Sequence, residues 1–129
     1  MPLILVVDDV ALAREAVARL LEFEGFQTVR AANGKEAYAT LYTQKPDLVL
    51  LDLMMPELDG ITLLRMIRNH PQWETIPVIV LTGLTDENKL VARARELGVK
   101  DVIPKAKFGF TDLLERIRKT MGDAAARGN

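Results

Sequence analysis

Short runs of apolar residues alternate along the chain with longer segments in which apolar residues recur at every third or fourth position. Short apolar runs are typical of strands buried in a parallel sheet, and the wider spacing is typical of amphipathic helices. The pattern predicts strands at residues 3–7, 26–31, 49–51, 76–81 and 99–103. It predicts helices at residues 11–24, around Ala37 and Leu41, at 61–67, after Thr85 as far as Leu97, and at 110–121.

This alternation of strand and helix predicts one α/β domain with a doubly wound parallel sheet. Because the first and third strands both end on aspartates, we expect the chain order to reverse beside the first strand. The fold class is therefore predicted as a five-stranded, flavodoxin-like sheet with strand order 2-1-3-4-5. Residues 122–129 lack a core-forming pattern, so the domain is predicted to span residues 1–121, followed by a disordered tail or the start of a linker.

Residues that favour helix ends stand at several predicted boundaries. Gly25 and Gly98 are predicted to end the first and fourth helices. Asn33, with Glu36 three residues later, resembles a capping box at the start of the second helix. Glu87, together with its neighbour at position 86, is suited to the positive N-terminal end of the fourth helix.

The composition of the chain excludes several classes of function. The 129 residues are 49% hydrophobic and 27% charged, as in an ordinary globular domain. The 17 basic and 18 acidic residues nearly balance, which argues against direct binding to nucleic acid or to an anionic membrane. Cysteine is absent, which excludes disulfides, zinc–thiolate sites and cysteine nucleophiles. Because no apolar run approaches the ~20 residues of a membrane span, a cytoplasmic location is predicted.

Polar side chains stand where four of the predicted strands end. In a parallel sheet these ends lie at one edge, so we expect the side chains to converge in a crevice there. They are Asp8 and Asp9 after the first strand, Asp52 after the third, Thr82 at the end of the fourth and Lys105 just past the fifth.

Three clustered carboxylates require positive charge, since two unit charges ~4 Å apart repel by about 4 kcal/mol at an effective dielectric constant of about 20. Lys105 supplies one charge. A hard divalent cation supplies two, and Mg²⁺ prefers carboxylate, water and phosphate oxygens. The absence of cysteine and the single, distant His70 argue against zinc or copper.

An anionic group entering this crevice would meet a metal ion, the hydroxyl of Thr82 and the ammonium of Lys105. This combination suits a phosphoryl group. A carboxylate can act as the nucleophile toward phosphorus and form an aspartyl phosphate. Asp52, on the central strand, is the predicted acceptor.

The ordered set of these residues resembles the receiver domain of two-component response regulators. The matching residues are the acidic pair Asp8-Asp9, the segment 52–60 (DLMMPELDG), Thr82-Gly83 and Lys105, and the resemblance runs from about residue 3 to residue 121. Each piece alone is a weak signal. Together, each at the end of its own strand, they are specific.

The resemblance implies a phosphorelay module. Mg²⁺ would be bound by Asp9, Asp52 and the backbone carbonyl of Met54, with Asp8 assisting through water. A histidine kinase or a histidine phosphotransfer protein would supply the phosphoryl group to Asp52. Thr82 and Lys105 would then move toward the phosphate and shift the surface of the fourth helix, fifth strand and fifth helix. The partner of that surface is a downstream effector protein or a further domain of the same chain.

Two positions depart from the family pattern. Receivers usually carry proline directly after the lysine, often with a cis bond, whereas here Pro104 precedes Lys105 and Ala106 follows it. Receivers also commonly carry an aromatic residue three positions before the lysine, and here that residue is Val102. These departures bear on how the lysine is aimed and on aromatic coupling, but phosphorylation itself does not need the ring.

Two alternatives remain beside the signalling module, which would catalyse only its own phosphotransfer and dephosphorylation. One is a Mg²⁺-dependent aspartyl-phosphate phosphohydrolase, but such enzymes usually place a second aspartate two residues after the nucleophile, and Met54 stands there. The other is a receiver-like scaffold that binds partners without phosphorylation. The altered Lys105 loop and Val102 favour the scaffold modestly, and the intact acidic set counts against it.

Several other polar or aromatic residues have structural interpretations. Asp59 precedes Gly60 and is predicted to form a turn rather than to bind metal. His70 is predicted to cap a helix, and Trp73 is predicted to pack against the core. The charged face of the fourth helix is predicted to be solvated, with partner docking as the alternative.

Overall fold

The computed structural model describes residues 2–55, 58–85, 87–107 and 109–128. Their strands form one parallel five-stranded sheet in the order β2-β1-β3-β4-β5. The strands are β1 (Leu3–Val7), β2 (Gln27–Ala31), β3 (Leu48–Leu51), β4 (Val78–Thr82) and β5 (Asp101–Pro104). The predicted fold class and strand order are therefore confirmed.

Helices cover both faces of the sheet. They are α1 (Ala11–Phe23), α2 (Gly34–Thr43), α3 (Gly60–Asn69), α4 (Lys89–Glu96) and α5 (Phe110–Gly128), with a short 3₁₀ turn at Lys105–Lys107. Buried side chains of α2, α3 and α4 pack on one face, and those of α1 and α5 pack on the other. Alternate strand residues divide between these two apolar clusters: Leu5 and Val7 lie in the first, and Ile4 and Val6 lie in the second. This alternation follows from the two-residue period of a strand.

The central strands are apolar because both of their faces are covered. All four residues of β3 and all five residues of β4 are buried. β2 lies at one edge of the sheet, and only Ala31 of its five residues is buried. Among the described residues, no helix combines the length and hydropathy needed to cross a membrane.

The predicted helix ends are mostly confirmed. Gly25 and Gly98 have φ values of 97° and 78°, which residues with a Cβ atom rarely adopt. The Asn33 side chain accepts a hydrogen bond from the Glu36 N–H at 2.8 Å, and Glu36 in turn accepts from the Ala32 N–H at 2.7 Å. The reciprocal contact therefore exists, but Glu36 reaches one residue further back than in a standard capping box.

The start of α4 differs from the prediction. The helix begins at Lys89, and Asn88 caps it by accepting from the Leu90 N–H at 2.8 Å. Glu87 therefore precedes the helix, and the predicted contribution of Asp86 falls outside the described residues. A side-chain cap at Asn88 satisfies a free N–H directly, whereas acidic residues only complement the helix dipole.

Other boundaries differ as well. The fourth strand is Val78–Thr82 rather than residues 76–81, and the second and third strands each differ from the prediction by one residue at the start. The fifth strand begins at Asp101 rather than at residue 99, because the Val99 N–H still donates to the Ala94 carbonyl of α4 at 3.4 Å. The backbone of α5 continues as helix to Gly128, through the segment predicted as a tail. The domain boundary at residue 121 stays a prediction.

Candidate functional site

Asp8 and Asp52 lie next to each other because β1 and β3 end in register. Val7 pairs with Leu51, and the Asp52 N–H donates to the Val7 carbonyl at 3.0 Å. The Asp8 N–H donates on the other side, to the Ala31 carbonyl at 3.2 Å. Both aspartates are thus held by backbone hydrogen bonds one residue beyond the strand ends, and both are buried, with 5% and 6% exposure.

Lys105 joins these two carboxylates. Its Nζ donates to Asp8 Oδ2 at 2.6 Å and to Asp52 Oδ2 at 3.2 Å. The lysine is the first residue of the 3₁₀ turn that follows β5, so its side chain extends past the end of β4 to reach the carboxylates that follow β3 and β1. Charge-assisted hydrogen bonds of this kind are stronger than neutral ones.

The three aspartates also meet the geometry of a cation site. Asp8, Asp9 and Asp52 each offer one carboxylate oxygen, and these oxygens lie within 4.8 Å of one another. Asp8 and Asp52 are buried and Asp9 is exposed, so the site opens to solvent on the Asp9 side. An all-oxygen ligand set fits a hard cation such as Mg²⁺.

Backbone N–H groups orient the two buried carboxylates. Asp8 Oδ1 accepts from the Val10 N–H at 2.9 Å, and Asp52 Oδ1 accepts from the Met54 N–H at 3.2 Å. The Oδ2 atoms are the ones that face Lys105. In each carboxylate, therefore, one oxygen accepts a hydrogen bond from its own loop and the other accepts a hydrogen bond from Lys105.

The charges of the site are only partly balanced. Burial raises the pKa of the Asp52 carboxyl, and the charge of Lys105 and the N–H of Met54 offset only part of that rise. Burial alone would lower the pKa of Lys105, but hydrogen bonds and charges from Asp8 and Asp52 outweigh it, so the pKa of Lys105 is raised. The site therefore favours additional positive charge near Asp52.

Thr82 is fully buried at the end of β4, in register with Pro104. Its Oγ1 accepts from the Leu84 N–H at 3.3 Å. Within the described part of the chain, no hydrogen bond joins Thr82 to Asp52 or to Lys105. The predicted site residue is thus at the same sheet edge, but its hydroxyl is engaged with the loop that leads to α4.

Gly60 brings α3 directly against the site, a role that the sequence pattern did not indicate. A Cβ at Gly60 would lie 2.5 Å from the Asp52 carbonyl oxygen and 2.6 Å from Leu53 Cα, so only glycine allows this approach. Asp59 caps α3 by accepting from the Thr62 N–H at 2.8 Å. This contact is consistent with the prediction that Asp59 forms a turn rather than binding the metal ion.

Arg14 is a second residue that the sequence analysis missed. Its Nη1 donates to the Asp8 carbonyl at 2.8 Å and so ties the first turn of α1 to the loop that carries Asp8 and Asp9. From the sequence, an arginine in the first turn of a helix is expected to be solvated. Its position relative to the apolar residues of α1 does not predict this contact.

Beside the carboxylates an open groove of about 580 Å³ extends between the loop after β3 and helix α4. Asp9 and Asp59 are the charged residues that line it, and Met54, Met55 and Leu90 are among its apolar lining residues. The Met54 side chain is 56% exposed there. The approach to the aspartates is therefore wide and partly apolar.

Val102 occupies the position at which receivers commonly carry an aromatic residue. It is buried in β5, pairs with Val80 and packs in the cluster that also contains Val91 and Ala94 of α4. A valine in this place links the fifth strand to α4 by fixed packing.

Comparison with known proteins gives one consistent family. A family model described as "Response regulator receiver domain" matches residues 4–118. The phosphate regulon transcriptional regulatory protein PhoB of Pseudomonas aeruginosa is 36% identical over 118 residues, which are 92% of this chain and 51% of that protein. The response regulator MprA of Mycolicibacterium vanbaalenii is 39% identical over 115 residues, covering 89% of this chain and 48% of that protein. The chain thus spans about half the length of the curated relatives it matches.

Solved structures agree with this result. The CheY-like receiver domain protein of Methanospirillum hungatei superposes with a TM-score of 0.91 at 25% identity, covering 98% of each chain. The signal receiver domain of a histidine kinase from Syntrophus aciditrophicus superposes with a TM-score of 0.86 at 36% identity, covering 95% of this chain and 92% of that one. The chain belongs to the response regulator receiver domain family.

Proposed function

We propose that this receiver domain accepts a phosphoryl group on Asp52 in a reaction that depends on Mg²⁺. The observation that carries the proposal is the convergence of Asp8, Asp9 and Asp52 within 4.8 Å, with Lys105 donating to two of them. Such a cluster combines a nucleophilic carboxylate, oxygen ligands for a hard cation and a lysine ammonium in one open crevice.

Asp9, Asp52 and the backbone carbonyl of Met54 would hold the metal ion, with Asp8 acting through water. Asp9 is exposed and accessible to an entering ion, whereas Asp8 already accepts a hydrogen bond from Lys105 at 2.6 Å, which suits an indirect role. When bound, Mg²⁺ would supply two positive charges that neutralise the carboxylates and the incoming phosphoryl oxygens.

In the transfer, a carboxylate oxygen of Asp52 forms a bond to phosphorus while the bond from phosphorus to the donor nitrogen of a phosphohistidine breaks. The donor nitrogen keeps the electron pair of the broken bond, and no oxidant or reductant is needed. Oδ1 of Asp52 is bound by the Met54 N–H and Oδ2 faces Lys105, so Oδ2 is the proposed nucleophile once Lys105 moves aside. Lys105 and Thr82 would then bind the phosphoryl oxygens.

The proposed switch passes from Thr82 to α4. The Thr82 hydroxyl accepts from the Leu84 N–H, so turning it toward a phosphoryl group breaks that contact and releases the loop leading to α4. α4 is eight residues long, and only Val91 and Ala94 of it are buried. A short helix with little buried surface shifts at low cost, which would alter the surface formed by α4, β5 and α5.

The proposed partners are a histidine kinase or a histidine phosphotransfer protein upstream, and an effector protein or a further domain of the same chain downstream. The domain would work in the cytoplasm, and its catalysis would be limited to its own phosphotransfer and dephosphorylation. One relative is named a transcriptional regulatory protein and is about twice as long as the matched region. We propose that residues 1–121 do not themselves bind nucleic acid, so any effect on transcription would require another domain or partner.

The test is the intact mass of the protein after incubation with acetyl phosphate, with and without Mg²⁺, for the wild type and Asp52→Asn. We expect one added phosphoryl group in the wild type with Mg²⁺ only. The same adduct on the Asp52→Asn protein would overturn the choice of acceptor.

Beryllofluoride binding, followed by NMR, serves as the second measurement because it does not require a stable adduct. Binding without a mass change would indicate rapid hydrolysis and would keep the proposal. Failure of both measurements in folded protein would favour the phosphorylation-independent scaffold.

A further inference from the structure

The three carboxylates of the acidic site are not held in the same way. Asp8 and Asp52 are buried, and backbone N–H groups and the ammonium of Lys105 donate to their carboxylate oxygens. Asp9 is exposed, and no residue that the structure describes forms a hydrogen bond with its N–H or with its carboxylate. The direction of the Asp9 side chain therefore depends on the two peptide groups that flank it.

Hydrogen bonds orient both of these peptide groups. In the peptide between Asp9 and Val10, the Val10 N–H donates to Asp8 Oδ1 at 2.9 Å. In the peptide between Asp8 and Asp9, the carbonyl oxygen accepts from Arg14 Nη1 at 2.8 Å. Because a peptide group is planar, a hydrogen bond to one of its atoms restricts rotation of the whole group. Side chains of a helix lean toward its N-terminus, which is how Arg14 reaches back over this loop.

We propose that Arg14 is a positioning residue for the metal site, which acts through the Asp8 carbonyl to direct the Asp9 carboxylate toward the entering ion. This inference rests on the proposed function, in which Asp9 is a ligand of Mg²⁺. Arg14 is itself a cation and does not bind the ion, so its effect reaches the metal ion through the peptide that precedes Asp9. Replacing a residue that orients a metal ligand typically weakens metal binding about 10- to 100-fold.

The place of Arg14 in α1 supports a role outside the helix. Arg14 lies in the first turn, where the positive end of the helix dipole disfavours a cation. This turn has no acidic residue that would offset the charge, and the N-cap residue Val10 makes no side-chain hydrogen bond. An arginine here does not stabilise α1 by its charge. Because its removal relieves that repulsion while one hydrogen bond is lost, we expect variants at this position to fold.

The substitution Arg14→Met separates positioning from simple charge, because the two effects have opposite signs. Methionine is unbranched and apolar, and it removes both the charge and the hydrogen-bond donors. If Arg14 influenced the ion only by its charge, removing a nearby cation would strengthen Mg²⁺ binding. If Arg14 positions Asp9, the dissociation constant for Mg²⁺ should rise about tenfold. An NMR titration with Mg²⁺ that follows the backbone amide signals of Asp9 and Val10 measures it.

Two further variants complete the comparison. Arg14→Lys keeps a charge and a donor, so it should bind Mg²⁺ more tightly than Arg14→Met does. Arg19→Met is the matched control, since Arg19 is exposed on the same helix and should leave the dissociation constant unchanged. Urea denaturation checks that each variant is folded under the conditions of the titration.

The carbonyl carbon of Asp8 provides a second measurement that does not depend on metal binding or on phosphorylation. Its NMR chemical shift responds to the hydrogen bond that the carbonyl accepts. Without Mg²⁺, we expect this signal to move in Arg14→Met and to stay near its wild-type position in Arg14→Lys and Arg19→Met. Weaker Mg²⁺ binding by Arg14→Met with an unchanged Asp8 signal would overturn the inference, since the effect would not pass through the carbonyl.

The titration also separates this inference from the proposed function. A wild type that binds Mg²⁺ and accepts a phosphoryl group, beside an Arg14→Met protein that binds Mg²⁺ equally well or better, would overturn the role of Arg14 and leave the proposed function intact. An equal loss of affinity in Arg19→Met would also overturn that role. A wild type that binds no Mg²⁺ would overturn the proposed metal site and this inference together.

Discussion

Each end of the parallel sheet has a partly buried cation, Lys105 at the carboxyl end and Arg68 at the amino end, and the partners of these two cations differ. At the carboxyl end, Lys105 is shared between the carboxylates of Asp8 and Asp52. At the amino end, the guanidinium of Arg68 donates to neutral backbone carbonyls. Those carbonyls belong to Glu74, Ile76, Leu97 and Gly98, at 2.8–3.3 Å.

The difference decides which contacts can be exchanged. A carboxylate pair that holds one lysine gains from a further cation, and burial keeps the pKa of Asp52 raised until one arrives. Burial lowers the pKa of Arg68, but arginine stays charged in proteins, and its contacts join helix α3 to two connecting segments, the one before β4 and the one before β5. Under the proposed function, the contacts of Lys105 at the carboxyl end would be exchanged on binding, whereas those of Arg68 at the amino end would stay in place.

An aromatic cluster strengthens the fixed end. Trp73, in the connection into β4, is 2% exposed. It meets Tyr38 and Tyr42 edge-on at 5.5 and 4.8 Å between ring centroids, and the His70 ring stacks on it at 3.7 Å. This arrangement agrees with the prediction that Trp73 packs. His70 is the C-terminal cap residue of α3, as predicted, and its ring belongs to the aromatic cluster.

The largest effect is expected from Trp73→Ala, which removes the centre of this cluster. Loss of a buried aromatic side chain should lower the free energy of unfolding by about 3–5 kcal/mol, measured by urea denaturation. Tyr42→Ala, at the exposed rim, should cost about 1 kcal/mol, the size of an aromatic pair contact. The folded fraction of both variants should still accept a phosphoryl group. Loss of acceptance in folded Trp73→Ala protein would contradict the division between the two ends.

A smaller effect is expected from Arg68→Met. The change removes four hydrogen bonds and leaves partly buried carbonyls without their donor, which should cost about 2–3 kcal/mol. Arg65→Met on the same helix is the matched control, because Arg65 is exposed and should change the stability by no more than about 0.5 kcal/mol. Equal effects of the two substitutions in the same denaturation experiment would show that the carbonyl contacts of Arg68 do not stabilise the fold.

The comparison also explains what could be read from the sequence. Strands such as β3 and β4 were predictable because burial on both faces demands continuous apolar residues. The position of the three aspartates was predictable because charged residues that follow a buried apolar strand lie at the edge of the sheet where that strand ends. The fixed end was not predictable, since Arg68 resembles any basic residue near a helix end, and its partners are backbone atoms up to 30 residues away.

The same reason applies within the site. The close approach of Gly60 to Asp52 and the contact of Arg14 with the Asp8 carbonyl both depend on backbone positions fixed by the tertiary fold. The start of α4 was misplaced because acidic residues before a helix signal only its dipole, whereas the Asn88 side chain makes the cap. Contacts made to backbone atoms leave no periodic trace in a sequence.

The smallest effect is expected at the exchangeable end, from the protonation of Lys105. Because Asp8 and Asp52 raise its pKa in the folded state, the folded protein holds this proton more tightly than the unfolded chain does. The resulting stabilisation is fully present below the ordinary lysine pKa of about 10.5 and is lost as the pH rises through the higher folded value. Lys105→Gln removes this linkage and should cost about 1 kcal/mol at neutral pH, as expected for a partly exposed ion pair.

Urea denaturation of the wild type and Lys105→Gln at several pH values between neutrality and the alkaline limit measures the difference, and other alkaline titrations cancel in it. The stability gap between the two proteins should narrow above the ordinary lysine pKa. A gap that stays constant through that range would mean that Lys105 contributes by packing rather than by charge. The carboxyl end would then lack the exchangeable cation that distinguishes it from the amino end.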